Sequence, residues 1–303
     1  MVEINSTNPV VDAAPNKCPI VPSDWMTLGA ESGYKPKVAG KLRLFVVGPS
    51  GEGKSTWLSS IERNLILDFD DGADAVPGSK AVRINIKNYA HLQQVRDKLL
   101  ADAKAGKLYF TRVTIDTVDE CIAMIKHKLE NEKNTEDITD YRSEGYGYNL
   151  ILQRFWGIIL DIEEAGCSWA VVGHTKYKTE IDPATKKPVT RIRDSVYPGV
   201  SKKILTKSDF KVTIYSLSET IRVDLPPKIV QNGNQRIEVP QHEDKVVVNF
   251  YLNSLTTASE GTNKARGVPT MPKKFPLPLV GGWNVFKSYY DKAVNEARQR
   301  WGS

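Results

Sequence analysis

A glycine-rich loop constrains what this chain can fold into more than any other feature. Residues 48–55 read GPSGEGKS, which fits the pattern G-x-x-x-x-G-K-[ST]. The apolar run LRLFVV before the loop has the length of a strand, and the hydroxyl-rich run STWLSSI after it can begin a helix. In that setting backbone N–H groups can turn toward a phosphate, and the helix N-terminus adds the positive end of its dipole. The pattern therefore predicts a nucleotide phosphate site.

The loop residues have distinct expected tasks at that site. Lys54 would reach the β- and γ-phosphates, Ser55 would ligate Mg²⁺, and Thr56 would add a hydroxyl at the α-phosphate. The expected cofactors are ATP and Mg²⁺. The expected nucleotide-binding set is Gly48, Pro49, Ser50, Gly51, Glu52, Gly53, Lys54, Ser55 and Thr56.

Carboxylates at two later strand ends could complete the chemistry. Asp116 ends the apolar run RVTID, where a second carboxylate that supports Mg²⁺ is usually found, although it could also be a helix N-cap. The run DFDDGAD ends another predicted strand, at the edge where open α/β sheets bind ligands. Hydrolysis needs a carboxylate that orients the attacking water. Asp70 is the favoured candidate, but position alone leaves Asp68, Asp71 and Asp74 open.

The order of apolar patterns predicts the fold class. From about residue 41 to 173, strand-like runs alternate with amphipathic helices, which predicts an α/β fold with a mostly parallel central sheet. Asn232-Gly233 lies between alternating segments and predicts a β-hairpin, and WNVFKSYYDKAVNEARQRW predicts a C-terminal helix. We therefore expect a flexible N-terminal extension (1–40), a nucleotide-binding core (41–217), and an antiparallel β extension with a C-terminal helix packed on that core (218–303).

Charge and cysteine content narrow the expected partners and compartment. The net charge of +6 is concentrated in two zones: 176–211 holds ten Lys or Arg against four Asp or Glu, and 264–303 holds eight against two. This distribution indicates a polyanionic partner, with a solvated basic surface as an equal alternative. Three widely spaced cysteines without a CxxC pair are typical of a reducing cytoplasm. No run reaches transmembrane length, so we expect a cytoplasmic protein without a membrane partner.

The order of several motifs resembles that in phage AAA-domain nucleotide-binding proteins, which are RecA-like core ATPases that include the Sak-type single-strand annealing proteins. The motifs are the glycine-rich loop, LILDFDDGAD, VTIDT, EGYGYNLILQRFWGIILDI, WAVVGHTK and ARGVPTMPKKFPLP. The resemblance runs from about residue 41 to the C-terminus and is looser over about 218–255. It implies a RecA-like P-loop NTPase core, and the host cytoplasm as its location if the chain is phage-encoded.

The resemblance also implies roles for single residues. His174 in VVGHTK would sense the γ-phosphate, and Asp70 would activate water in place of the usual, longer Glu, which leaves slow turnover open. Lys202 and Lys203 lie near where some relatives place a lysine that reaches the neighbouring subunit's nucleotide. The loop after the sensor would bind DNA through Lys176, Tyr177, Lys178, Lys186, Lys187, Arg191 and Arg193.

Three functions remain open at this level. The first is a phage recombination protein that hydrolyses ATP, binds single-stranded DNA and promotes strand annealing or exchange as a ring or filament, with a single-strand DNA-binding protein as a candidate partner. The second is a replication or packaging accessory or loader ATPase with slow turnover. The third is a P-loop phosphotransferase, which would need a mobile, Arg-rich lid. The loop 131–147 is acidic and offers only Arg142 for that purpose.

Overall fold

The computed structural model describes residues 22–29, 35–70, 76, 78–181, 186, 188–232, 235–253, 264–265, 268, 270–278 and 280–301. The helices are α1 (Ser23–Thr27), α2 (Lys54–Ser59), α3 (Tyr89–Lys104), α4 (Val118–Lys133), α5 (Tyr146–Glu164), α6 (Pro198–Lys207) and α7 (Gly282–Trp301). The strands are β1 (Leu44–Gly48), β2 (Asn64–Asp68), β3 (Val82–Asn85), β4 (Arg112–Asp116), β5 (Ser168–Ile181), β6 (Pro188–Asp194), β7 (Phe210–Asn232), β8 (Gln235–Asn253), β9 (Lys264–Ala265) and β10 (Lys274–Pro276).

One sheet organises the chain, in the order β10-β8-β7-β1-β5-β4-β2-β3. The strands from β7 to β3 in that order run parallel, whereas β8 and β10 are antiparallel additions at one edge. The predicted α/β fold, with a mostly parallel sheet, an antiparallel extension and a C-terminal helix, is confirmed. Because β1, β5 and β4 are neighbouring parallel strands, all three reach the same edge of the sheet in their carboxyl direction, where open sheets bind ligands.

Helices cover both faces of the sheet. Strand β1 is fully buried, and its side chains alternate between two cores, as the two-residue period of a strand requires. Phe45 and Val47 pack with α3, α4 and α5, while Leu44 and Val46 pack with α2 and α7. Each large side chain buried in this way stabilises the fold by about 1.5–3 kcal/mol. The glycine-rich loop therefore starts from a rigid strand held on both sides.

The antiparallel extension is longer than the sequence pattern indicates. The strand-like runs FKVTIYSL and TIRVDL both belong to one strand of 23 residues, β7. It pairs with β8 from Thr213↔Asn253 out to Asn232↔Gln235. Alternating β-branched and polar residues favour extended backbone throughout both runs, so nothing interrupts the strand between them. The predicted hairpin is formed, and its turn residues 233–234 lie outside the described residues.

The segment before β1 is attached to the core. Ala39 and Leu42 are buried, and Lys37 Nζ lies 2.9 Å from Asp209 Oδ2. Residues 1–21 and 30–34 of the expected extension lie outside the described residues, so the proposed three-part division stays a prediction. Among the helices whose bounds are given above, none has the length and apolar composition needed to cross a membrane.

Candidate nucleotide site

A cleft of about 290 Å³ opens at the carboxyl edge of the sheet. Residues 50–56 of the loop form one wall, and Val76, Thr117 and Phe250 also line it. Four residues expected to carry the chemistry meet there, namely Lys54, Asp70, Asp116 and His174. They are brought together because the parallel strands β1, β2, β4 and β5 reach this edge at Gly48, Asp68, Asp116 and His174. Lys54 and His174, which are 120 residues apart in the sequence, thus line the same cleft.

The glycines of the loop are required for different reasons. Gly51 and Gly53 both have φ of +79°, in the left-handed region that other residues rarely adopt. Gly48 has no room for a side chain, because a Cβ there would lie 2.1 Å from the carbonyl oxygen of Ile214 on β7. Gly51 and Gly53 shape the phosphate loop, and Gly48 allows β1 to lie close to β7.

Lys54 is the first residue of α2, and its ammonium group is held inside the loop. It donates hydrogen bonds to the carbonyl oxygens of Gly48 at 2.9 Å and Pro49 at 2.5 Å. Burial lowers the pKa of Lys54, and the negative charges of Asp116 and Glu52 oppose that effect. A β- or γ-phosphate oxygen would be a stronger acceptor for the same ammonium group than these neutral carbonyls.

Ser55 and Asp116 offer the oxygen atoms that Mg²⁺ prefers. The Ser55 side chain is hydrogen-bonded to the buried Asp116 carboxylate. Burial raises the pKa of Asp116, and the nearby Asp68 carboxylate raises it further, while the Ser55 hydrogen bond and the charge of Arg83 act in the opposite direction. The residue that precedes α4 is Thr117, so Asp116 does not occupy the N-cap position that was its alternative role. The donor set fits a divalent cation bound between α2 and β4.

Two acids at the end of β2 have different surroundings. Asp68 is buried and ion-paired with Arg83, and its Oδ1 accepts the backbone N–H of Asp70 at 3.2 Å. Asp70 is exposed and lines the cleft. Of these two acids, Asp70 is therefore the one whose carboxylate is available to a water molecule. Asp71 and Asp74 lie outside the described residues.

His174 stands beside the loop and is held by an acid that the sequence analysis missed. It pairs in register with Gly48, its backbone N–H donates to Asp119 Oδ2 at 3.2 Å, and its Nδ1 lies 3.6 Å from the same oxygen. Burial would raise the pKa of Asp119, but hydrogen bonds from His174 and Ser195 outweigh it and lower that pKa. Acids in the first turn of a helix are common because they complement the dipole, so Asp119 carried no distinctive sequence signal.

With this geometry in place, comparison with known families gives a match. Residues 40–247 match a family described as AAA domain, which is more than half of the chain. The chain belongs to the AAA domain family. Membership identifies a nucleotide-binding P-loop ATPase domain, in agreement with the cleft. No curated protein matches the chain.

In this AAA domain protein, the basic segment after His174 is a hairpin and not the loop that was expected. Strand β5 continues from His174 to Ile181 and pairs antiparallel with β6 from Thr175↔Asp194 to Ile181↔Pro188. Alternating β-branched and polar residues in KYKTEI and PVTRIRD favour strands over a loop. We call residues 175–194 the basic hairpin.

The expected DNA-binding residues occupy defined positions on the basic hairpin. The register pairs Lys176 with Arg193 and Lys178 with Arg191, so four basic positions fall on one face. The side chains at 176 and 186 are exposed. Lys187 and the side chains of Tyr177, Lys178, Arg191 and Arg193 lie outside the described part of the structure.

The two lysines expected to act on a neighbouring subunit lie on α6, and neither lines the cleft of its own chain. Lys202 is exposed. Lys203 is half-buried, with its Nζ 4.8 Å from the ring centroid of Trp156. Of the two, Lys202 is the one whose ammonium group is free to reach outward.

Proposed function

We propose that this AAA domain protein is an ATP-hydrolysing phage recombination protein. It binds single-stranded DNA and promotes strand annealing or exchange as an oligomer, and bound nucleotide sets its affinity for DNA. The observation that carries the proposal is that β5 belongs to both sites. At His174 it lines the nucleotide cleft, and from Thr175 onward it is the first strand of the basic hairpin.

Each group in the cleft has a role in hydrolysis. The loop N–H groups and Lys54 hold the triphosphate, and Asp70 orients a water molecule for attack on the γ-phosphorus. The Pγ–O bond to ADP breaks as the bond to the water oxygen forms, so ATP and water give ADP and phosphate. Mg²⁺, held by Ser55 and Asp116, would neutralise charge on the phosphates. The Asp70 carboxylate reaches one methylene less far than the Glu of relatives, which favours modest turnover.

The link between the two sites is a small hydrogen-bonded cluster. The Ser195 hydroxyl lies 2.9 Å from Asp119 Oδ1 and 2.9 Å from the carbonyl oxygen of His174. Ser195 directly follows the last residue of the basic hairpin. A contact between His174 and a γ-phosphate oxygen would compete with Asp119 for the imidazole, and Ser195 is bonded to both residues.

The last residue of the second strand of the basic hairpin, Asp194, is held in place by hydrogen bonds. Asp194 accepts hydrogen bonds from Lys211 Nζ at 2.9 and 3.0 Å and from the Ser201 hydroxyl at 2.7 Å. Lys211 lies on β7, next to β1, and is buried. Because this end is fixed to the sheet, a displacement at His174 would tilt the hairpin relative to the core.

Basic side chains at the hairpin positions suit a nucleic-acid backbone. Lys and Arg neutralise phosphates and release condensed counterions, which makes such binding strongly salt-dependent. Tyr177 is a candidate for stacking on a base, which is how proteins hold single strands without sequence preference. The continuity of the hairpin with the sensor strand supports this surface over the C-terminal basic zone as the DNA site.

The long β7–β8 ribbon supports an oligomer. Leu225 and Ile229 lie in its outer half with 36% and 59% of their surfaces exposed. A two-stranded ribbon is marginally stable in water on its own, so an outer half that projects from the sheet would gain stability by packing on another copy of the chain. Lys202 would then be a candidate for contact with the neighbouring nucleotide.

The described residues disfavour the phosphotransferase alternative. The segment between α4 and α5 is the candidate lid, yet Ile138 within it is fully buried. The Arg142 guanidinium lies 5.3 Å from the ring centroid of Tyr141 and 5.2 Å from that of Tyr146. A segment packed in this way is poorly suited to close over two phosphoryl groups. One observation favours the loader alternative: the side chain of Asp70 is one methylene shorter than the Glu of relatives.

The test is the rate of ATP hydrolysis with and without a single-stranded oligonucleotide, with the matching duplex as control. We expect the single strand to raise turnover more than the duplex does. Hydrolysis that no DNA alters, together with absent DNA binding, would favour the loader alternative. Transfer of phosphate to a small acceptor in preference to water would favour the phosphotransferase.

A further inference from the structure

The P-loop itself assigns no residue to the base of the nucleotide. Phe250 on β8 lines the phosphate cleft and also a narrow crevice beside it. Its Cδ1 lies 3.8 Å from where a Cβ on Gly53 would stand. The antiparallel extension therefore brings an aromatic side chain directly against the phosphate loop.

We propose that Phe250 and Glu52 form the subsite for the base, and that they select a purine with an amino group at C6, namely adenine. The inference rests on the proposed nucleotide-binding function. Thr56 is expected at the α-phosphate, which carries the ribose and base, and Thr56 lines the same crevice as Phe250. The nucleoside thus leaves the phosphate loop where Phe250 stands.

The shape of the crevice determines how the base would bind. Its volume is about 10 Å³, which is too small to hold a base. Leu277 and Pro278 contribute apolar surface to its lining. Phe250 is half-buried, so part of it is free for contact. A base would therefore lie across the mouth of the crevice, against Phe250, and not inside it.

An unpartnered acceptor gives the subsite its polarity. Within the described residues, Glu52 Oε2 is buried and has no hydrogen-bond partner, although Glu52 lines both the cleft and the crevice. A buried carboxylate oxygen without a donor is unfavourable, and the 6-amino group of adenine is a donor that could satisfy it. Trp57 also lines the crevice, and its Nε1 is likewise buried without a partner.

The experiment measures competition with a ribose-labelled fluorescent ATP in the presence of Mg²⁺. The competitors are ATP, purine riboside triphosphate, which lacks the amino group, and tripolyphosphate, which lacks the nucleoside. Phe250→Ala should weaken binding of both nucleotides by roughly 10- to 100-fold and leave tripolyphosphate unchanged. Glu52→Leu should abolish a preference of about 10-fold or more for ATP over purine riboside triphosphate.

Tyr251→Ala is the matched control, because Tyr251 is the next residue on β8 and contacts Tyr215, with ring centroids 6.0 Å apart, on the other face of the ribbon. It should bind all three competitors like the wild type. Unchanged ATP affinity in Phe250→Ala would overturn the inference, as would an equal loss for tripolyphosphate, which would make Phe250 a support for the loop. In either case, binding of tripolyphosphate by the wild type would still support the proposed nucleotide site. A wild type that binds no triphosphate would overturn the proposed function itself.

Discussion

The backbone N–H of Ser195 donates a hydrogen bond to the carbonyl oxygen of His174 at 2.9 Å. This bond closes the base of the basic hairpin at the point where β5 leaves the nucleotide cleft. The Asp119 carboxylate accepts hydrogen bonds from both residues. Three residues from three segments of the chain therefore join the cleft to the hairpin.

Removal of Asp119 should uncouple DNA affinity from nucleotide state. In Asp119→Ala the imidazole of His174 and the hydroxyl of Ser195 lose their common acceptor, so ATP should change DNA affinity less. Couplings of this kind are typically 5- to 150-fold, and we expect the ratio of affinities with and without ATP to fall by about 5-fold or more. The measurement is oligonucleotide binding in both states. Glu120→Ala, in the same helical turn and exposed, is the control, and an equal ratio in the two variants would contradict the coupling.

Loss of Lys54 should abolish ATP turnover while the protein stays folded. Its ammonium group is the positive charge of the loop nearest the transferred phosphoryl group, and removal of one such group typically costs 10²- to 10³-fold in rate. Lys54→Ala is assayed by phosphate release, with circular dichroism to verify the fold. Hydrolysis at the wild-type rate would show that the reaction takes place elsewhere.

Asp70 should act on water and not on nucleotide binding. Asp70→Asn should keep ATP affinity and lose about 10²- to 10⁴-fold in turnover, because the amide is a poor proton acceptor. Asp70→Glu restores the reach of the usual acid and should raise the rate. Single-turnover hydrolysis and ATP binding separate the two effects. Equal turnover in Asp70→Asn would exclude Asp70 and direct attention to the remaining acids of DFDDGAD.

Asp116→Asn should make the nucleotide-free protein more stable. Burial raises the pKa of Asp116 above its unfolded value. The stability linked to its protonated form is therefore present below the ordinary aspartate pKa and is lost as pH rises through the raised pKa. At pH 7 the ionised group opposes folding, so we expect the melting temperature without Mg²⁺ to rise by about 2–4 °C, and the additional stabilisation by Mg²⁺ with ATP to disappear. A lower melting temperature, or a retained Mg²⁺ effect, would contradict this assignment.

The parts of the fold that depend on local periodicity could be predicted from the sequence. The strand Arg112–Asp116 has the bounds of the apolar run RVTID, because apolar residues recur there at strand spacing. The meeting of Lys54, Asp116 and His174 followed from a general rule, since carboxyl ends of parallel strands share an edge.

Features that depend on distant pairing could not be predicted in this way. Phe250 reaches the loop because β8 pairs with β7, which pairs with β1, and no local pattern marks that path. The basic hairpin was expected as a loop, since its polar composition conceals the strand alternation. Asp119 contacts His174 and Ser195, which follow it in the chain by 55 and 76 residues. Contacts over such separations leave no periodic signal in the sequence.

The most direct test of the account is a salt titration of fluorescent single-stranded DNA binding, with and without ATP. The wild type should bind more tightly with ATP, and its affinity should fall steeply with salt, with a slope of about −0.7 per phosphate contact. A variant with Lys186, Lys187, Arg191 and Arg193 replaced by Ala should bind more weakly, with a slope flatter by up to about 3, while basal ATP hydrolysis stays near the wild-type rate. Identical slopes for the two proteins would place the DNA site elsewhere and contradict the central claim that the basic hairpin binds DNA under the control of nucleotide.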